Sequence, residues 1–237
     1  MAPARAEPPE RRVRRWGDLR LRILSAAVLA PLALLCVWLG EGAFLALLGL
    51  GTLGVTAEWV MMCRGSARAG AGVLALGLAY IAVAAVSLAW LRADPQTGRL
   101  NVLFLLILVW ASDVGAYLTG RAVGGAKLAP RISPGKTVSG ALGGLAAAIF
   151  AGLVVAIVLS RPTSMWYAAT CAGALGMVAQ TGDLLESFVK RRFGVKDSGR
   201  LIPGHGGLLD RLDALLAAAP VAVLLALAQG RGVVLWG

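Results

Sequence analysis

Charge is scarce in this chain. Asp, Glu, Lys and Arg make up 15% of its 237 residues. Soluble domains carry about 25%, so a chain of this size could not cover a soluble surface with so few. Histidine is scarcer still, with His205 alone, and no Ser–His–Asp or Cys–His set can be picked out. The three cysteines, Cys36, Cys63 and Cys171, lie in or beside apolar runs. They show no paired or metal-ligand spacing, which argues against a disulfide framework or a zinc site. Acids number only 12, so each can be weighed singly. No stretch alternates polar and apolar residues as a membrane β-barrel strand does.

What is present is apolar residues in long blocks, 58% of the chain. The blocks are rich in Ala, Leu, Val and Gly and match the bilayer hydrocarbon at helical rise. Only helices or closed barrels satisfy every backbone group in lipid. The expected class is therefore all-α, a polytopic membrane protein. Seven spans are predicted: Ile23–Gly40, Ala43–Met62, Ala71–Leu91, Val102–Thr119, Val138–Ser160, Met165–Glu186 and Leu208–Ala228. Residues 1–22 read as a basic, disordered cytoplasmic tail, and residues 23–237 as one transmembrane catalytic domain. Trp16, Trp38, Trp90 and Trp166 sit near span ends, as interface anchors do.

The net charge of +11 could suggest nucleic acid, but its placement argues for a bilayer partner and against nucleic acid. Nineteen of the 23 Lys and Arg fall in the tail, the even-numbered loops and the start of the last span. Four (Arg92, Arg99, Arg161 and Arg231) fall on the other side. The positive-inside rule then puts the N-terminus and the even loops in the cytoplasm.

Glu7, Glu10 and Asp18 lie in the tail, Glu41 and Asp94 punctuate outer loops, and Asp197 lies in the last cytoplasmic loop. The other six, Glu58, Asp113, Asp183, Glu186, Asp210 and Asp213, fall inside predicted helices or at their ends. An acid at a membrane helix centre costs about 2.5–3.5 kcal/mol on insertion scales, so it is usually functional. An ion pair with a loop arginine, or a helix cap, is the bland alternative for any one of them. Asp113, Asp183, Asp210 and Asp213 share one depth on the cytoplasmic side, which is harder to explain that way. Asp210 and Asp213, three apart, share a helix face.

Two cytoplasmic loops adjoin these acids. One ends Ile132-Ser133-Pro134-Gly135-Lys136-Thr137. The other carries Lys190, Arg191, Arg192, Lys196 and Arg200, then Gly204-His205-Gly206-Gly207 before the acid pair. Glycines before a helix N-terminus expose N–H groups that suit phosphate. Lys and Arg add charge-assisted donors, and two acids a turn apart suit Mg²⁺ with substrate phosphates. The residues alone thus point to a metal-dependent phosphate site at the cytoplasmic membrane face.

The segment from Asp183 to Asp213 contains a longer pattern. It reads Ser187-Phe188-Val189-Lys190-Arg191, then Lys196-Asp197, then His205-Gly206-Gly207-Leu208-Leu209-Asp210-Arg211-Leu212-Asp213. This resembles the signature of the phosphatidate cytidylyltransferases, or CDP-diacylglycerol synthases. Arg22-Ile23-Leu24-Ser25-Ala26 and Glu58-Trp59 are similar to that family's first- and second-helix features. Asp113-Val114-Gly115-Ala116-Tyr117 resembles another of its segments, with Val114 in place of Thr. Ile132 to Thr137 resembles a third, with Gly135 in place of Lys.

The resemblance implies transfer from CTP to phosphatidate, giving CDP-diacylglycerol and pyrophosphate, with Mg²⁺ and with a second cation left open. It implies metal ligands at Asp183, Asp210 and Asp213, and catalytic parts for Asp113 and Lys196. It also implies substrate contacts at Ser133, Lys136, Thr137, Ser187, Lys190, Arg191, His205, Gly206, Gly207 and Arg211. Localisation to the plasma (inner) membrane follows, with the site facing the cytoplasm, and a homodimer is compatible. The rival readings are a CTP-dependent lipid-alcohol kinase, an ether-lipid synthase, and a cation or proton transporter. A transporter would place its acids near the midplane, not at one face.

Overall fold

The structure is a computed structural model, and it describes residues 27–159, 164–199, 206–230 and 232–237. The basic tail, the Arg22–Ala26 motif, Ser160, Arg161, Arg200, His205 and Arg231 lie outside the described residues. Among the described residues, seven helices follow in order: α1 (Ala27–Leu39), α2 (Glu41–Arg64), α3 (Ala71–Arg92), α4 (Gly98–Val123), α5 (Val138–Leu159), α6 (Met165–Phe193) and α7 (Leu209–Gln229). A short antiparallel hairpin, β1 (Lys127–Ala129) and β2 (Ser133–Thr137), stands between α4 and α5.

The protein is an all-α membrane protein, and among the described residues five helices (α2, α3, α4, α5 and α7) are long and apolar enough to cross a bilayer. The packing is that of a lipid-facing bundle. Large side chains such as Leu50, Leu76, Phe150 and Val158 point outward, while Ala148, Ala172, Ala218, Ala219 and Ala222 are buried. Without a hydrophobic drive between helices in lipid, small residues let backbones approach. The α4–α5 seam shows this best. A Cβ on Gly115 would overlap Ala147, and one on Gly143 would overlap Thr119. The described part of α1 is shorter than its predicted span. Helix α6 runs 29 residues, about 43 Å at helical rise, and passes well beyond Glu186. Its last turn carries Lys190, Arg191 and Arg192, favourable at a helix C-terminus. Gly194, at φ 78°, then closes it in the left-handed conformation.

At one end of the bundle the chain folds back on itself. Trp236 is fully buried and packs on Phe104 at 4.5 Å between ring centres. The Leu235 N–H donates to Asn101 Oδ1 at 2.9 Å. Asp94 does more than punctuate a loop. It accepts from the N–H groups of Gln96 and Thr97 and, at 3.0 Å, of Gly232. The Thr97 N–H above all holds its carboxyl below the usual carboxylate range.

Candidate active site

The opposite end gathers the polar residues. The stretch expected as a plain loop before α5 is the β1–β2 hairpin, with Lys127 paired to Thr137 and Ala129 to Ser133. Thr137 is buried, and its hydroxyl accepts from Gly140 N–H at 3.0 Å, capping α5. Ser133 opens β2 half-buried, and Gly135 is exposed. Two contacts fix the hairpin to α6. Lys136 Nζ lies 2.5 Å from Asp183 Oδ2, and the Arg191 guanidinium donates to Ile132 O at 3.2 Å and to Val195 O at 3.1 Å.

Helices α6 and α7 pack side by side and present their acids to each other. Gly182 meets Ala217 and the Asp213 carbonyl with no room for a Cβ, so the helices approach closely one residue before Asp183. Asp183, Glu186 and Asp213 each offer a carboxylate oxygen within 4.8 Å of the others. Lys190 is buried and lies between two acids, 2.8 Å from Glu186 Oε2 and 2.6 Å from Asp210 Oδ1. Beyond its ion pair with Lys190, Glu186 accepts no well-formed hydrogen bond among the described residues. Asp210 is not one of these three acids, although it lies beside Glu186. Besides Lys190, its oxygens accept from Ser198 N–H at 3.2 and 3.1 Å and from Gly207 N–H at 3.0 Å. Ser187 Oγ reaches Asp183 Oδ1 at 3.5 Å.

Partly buried carboxylates this close to one another need positive charge or donors. Lys190 supplies one charge and Lys136 a second, at Asp183. The under-satisfied Glu186 and its two neighbours form a hard-oxygen donor set of the kind that suits a divalent cation.

A cavity of about 720 Å³ opens over these groups. Its walls include Asp113, Tyr117, Lys136, Asp183, Glu186, Lys190, Asp197, Asp210, Arg211 and Asp213. A second cavity, of about 410 Å³, lies within the bundle among α1, α2, α3, α4 and α7. Its lining is apolar except at Thr52, Asp113 and Arg211. Asp113 and Arg211 border both cavities.

Of the residues predicted from sequence, Asp113, Lys136, Thr137, Asp183, Lys190, Asp210, Arg211 and Asp213 line the polar cavity. Lys196 is exposed and is not among its lining residues. Arg191 is also exposed and holds two backbone carbonyls. Gly206 adopts φ 87°, where a side chain would be strained. Gly207 is pressed so closely against Ser198 and Glu58 that a Cβ would overlap both. His205 lies outside the described residues.

Three residues were missed as members of this site: Glu186, Glu58 and Ser198. Glu186 had a legible signal, since Asp183-x-x-Glu186 repeats the spacing of Asp210-x-x-Asp213. Glu58 is fully buried, and its carboxylate accepts from Ser198 Oγ, Leu208 N–H and Leu209 N–H. Nothing in the local sequence links these partners.

Comparison with known proteins places this arrangement. The model of the "Cytidylyltransferase family" matches residues 66–228. A phosphatidate cytidylyltransferase of Brucella suis is 40% identical over 252 aligned positions, covering 88% of this chain and 93% of the relative. One from Rickettsia bellii is 36% identical over 214 positions, covering 86% of this chain and 89% of the relative. One from Staphylococcus saprophyticus is 42% identical over 146 positions, covering 62% of this chain and 55% of the relative. With the family match spanning more than half of the chain and relatives aligned over most of it, this chain belongs to the cytidylyltransferase family.

Proposed function

We propose that this protein transfers the cytidylyl group of CTP to phosphatidate, giving CDP-diacylglycerol and pyrophosphate. The observation that carries the reading is the pair of cavities meeting at Asp113 and Arg211. A lipid phosphate can sit at that junction with a chain in the apolar cavity. A water-soluble nucleotide can enter the polar one. Along α4, the apolar lining runs from Val102 to Asp113, about 16 Å at helical rise.

The chemistry needs little from the protein beyond placement and charge. A phosphomonoester is largely ionised at neutral pH, its second pKa being about 6, so no general base is required. A phosphatidate oxygen attacks the α-phosphorus of CTP. As that P–O bond forms, the bond from the α-phosphorus to the oxygen bridging to the β-phosphate breaks. Pyrophosphate leaves with those electrons. Lys136, Lys190 and Arg211 neutralise phosphate charge as it shifts, and Asp113 orients Arg211 at the junction. Asp183, Glu186 and Asp213 are the residues that would hold Mg²⁺, with Asp210 fixing Lys190 beside them. Bound there, the cation would neutralise triphosphate oxygens.

The same reading takes in the finer topology: seven spans, a cytoplasmic N-terminus, and the site at the cytoplasmic face of the plasma membrane. The distribution of basic residues supports it. Among the described residues, the only Lys or Arg side chains at the bundle end opposite the site are Arg92 and Arg99. The test is one incubation of purified protein with phosphatidate, labelled CTP and Mg²⁺. CDP-lipid and pyrophosphate are expected, with nothing from diacylglycerol. Free CDP with a phosphorylated lipid alcohol would show a CTP-dependent kinase instead and refute the proposal.

A further inference from the structure

Helix α7 begins without a cap of its own. Its N-cap residue is Leu208, which makes no side-chain capping bond. The first N–H groups of a helix need acceptors when buried. Here the acceptor comes from a helix 150 positions away in sequence. Glu58 Oε1 takes the Leu208 N–H at 3.0 Å and Oε2 takes the Leu209 N–H at 2.9 Å. Oε2 also accepts from Ser198 Oγ at 3.0 Å. Glu58 is 0% exposed.

The contacts continue toward the acids. The Ser198 backbone N–H donates to both oxygens of Asp210, Asp210 pairs with Lys190, and Lys190 lies beside Glu186. Asp213 is one turn further along the helix that Glu58 caps. The loop is fitted to this carboxylate from two sides, since a Cβ on Gly199 or on Gly207 would overlap Glu58. The next residue, Trp59, packs on Phe193 at 5.8 Å between ring centres. The end of α2 therefore grips both the end of α6 and the start of α7.

We infer that Glu58 is a positioning residue for nucleotidyl transfer, setting Asp210, Lys190 and Asp213 through Ser198 and the start of α7. This rests on the reading above. An ordinary buried cap would stabilise the fold and leave the acids' geometry, and hence the metal response, unchanged.

The variant Glu58→Gln keeps size and shape but replaces one acceptor oxygen with an N–H₂ group facing N–H or O–H donors. It is to be assayed as the full chain in detergent, below its own melting temperature, for kcat, KM for CTP and the Mg²⁺ concentration giving half-maximal rate. Displaced supporting groups of this kind cost about 10- to 100-fold in activity or metal affinity. The expected result is a kcat about 100-fold lower and a half-maximal Mg²⁺ concentration raised about tenfold. Ser198→Ala removes a single donor, and about a tenfold loss of kcat is expected. Met62→Ala, a core truncation on the same helix, should lower the melting temperature and leave the Mg²⁺ response unchanged.

The inference is overturned if Glu58→Gln keeps wild-type kcat and Mg²⁺ response, or changes only as Met62→Ala does. If Glu58→Gln does not fold, Ser198→Ala decides the matter by the same two quantities. A wild-type protein that makes no CDP-lipid overturns the proposed function itself, so the two failures are distinguishable.

Discussion

Lys190→Met tests the electrostatics of the site most directly. Lys190 is the buried cation between Glu186 and Asp210, at 2.8 and 2.6 Å. The side chains involved are 8–10% exposed, so solvent screens them little. At an effective dielectric of about 20, each contact is worth about 6 kcal/mol of Coulomb attraction. Most of that is offset by the cost of taking the charges out of water. Methionine fills nearly the same space and removes only the charge. It leaves Glu186 and Asp210 without the cation that lies between them, next to Asp183 and Asp213. Breaking a buried pair in this way costs about 3–5 kcal/mol.

The variant should therefore melt well below wild type in metal-free detergent solution. Mg²⁺ should raise its melting temperature more than it raises that of wild type, because a bound cation now relieves the surplus negative charge. Turnover should fall on the order of 10²-fold at saturating metal. Thermal melting with and without Mg²⁺, followed by the CDP-lipid assay, checks all three. A Lys190→Met protein that melts within about 1 kcal/mol of wild type, the range of an exposed pair, would refute the account of Lys190 as a buried counter-charge.

Two further outcomes are expected. Asp213→Asn should leave the protein folded and lower activity on the order of 10³-fold, and near-normal turnover with Mg²⁺ would remove Asp213 from the donor set. In a background lacking Cys36, Cys63 and Cys171, a cysteine at the exposed Gly135 should resist membrane-impermeant reagent in intact cells, whereas one at the exposed Pro95 should react. Labelling at Gly135 from outside would reverse the orientation and remove access to cytosolic CTP.

The helices were legible because unbroken apolar runs have one stable form in lipid. The polar end of α6 was not. Hydropathy ends that span near Glu186, yet the helix continues to Phe193 because three cations favour its last turn. The hairpin at Lys127–Thr137 was hidden in a segment too short and too polar to show a period. In the site, the spacing of Asp210 and Asp213 gave a shared face, but it could not show that Asp210 would be taken up by Lys190, Ser198 and Gly207. Nor could spacing reveal Glu58 as the cap of α7, since its partners lie about 140 to 150 residues away. The buried Trp236 was also out of reach, because nothing near residue 236 indicates that Phe104 waits for it.

The junction at Asp113 and Arg211 sets different units for the two substrates. A nucleotide arriving from water is counted per volume. A lipid that never leaves its leaflet is counted per area, as a mole fraction among its neighbours. Adding detergent or inert lipid at constant bulk phosphatidate should thin the second supply while leaving the first alone. The enzyme's rate then depends on the composition of the film around it, and the product is released into the same sheet that fed the reaction.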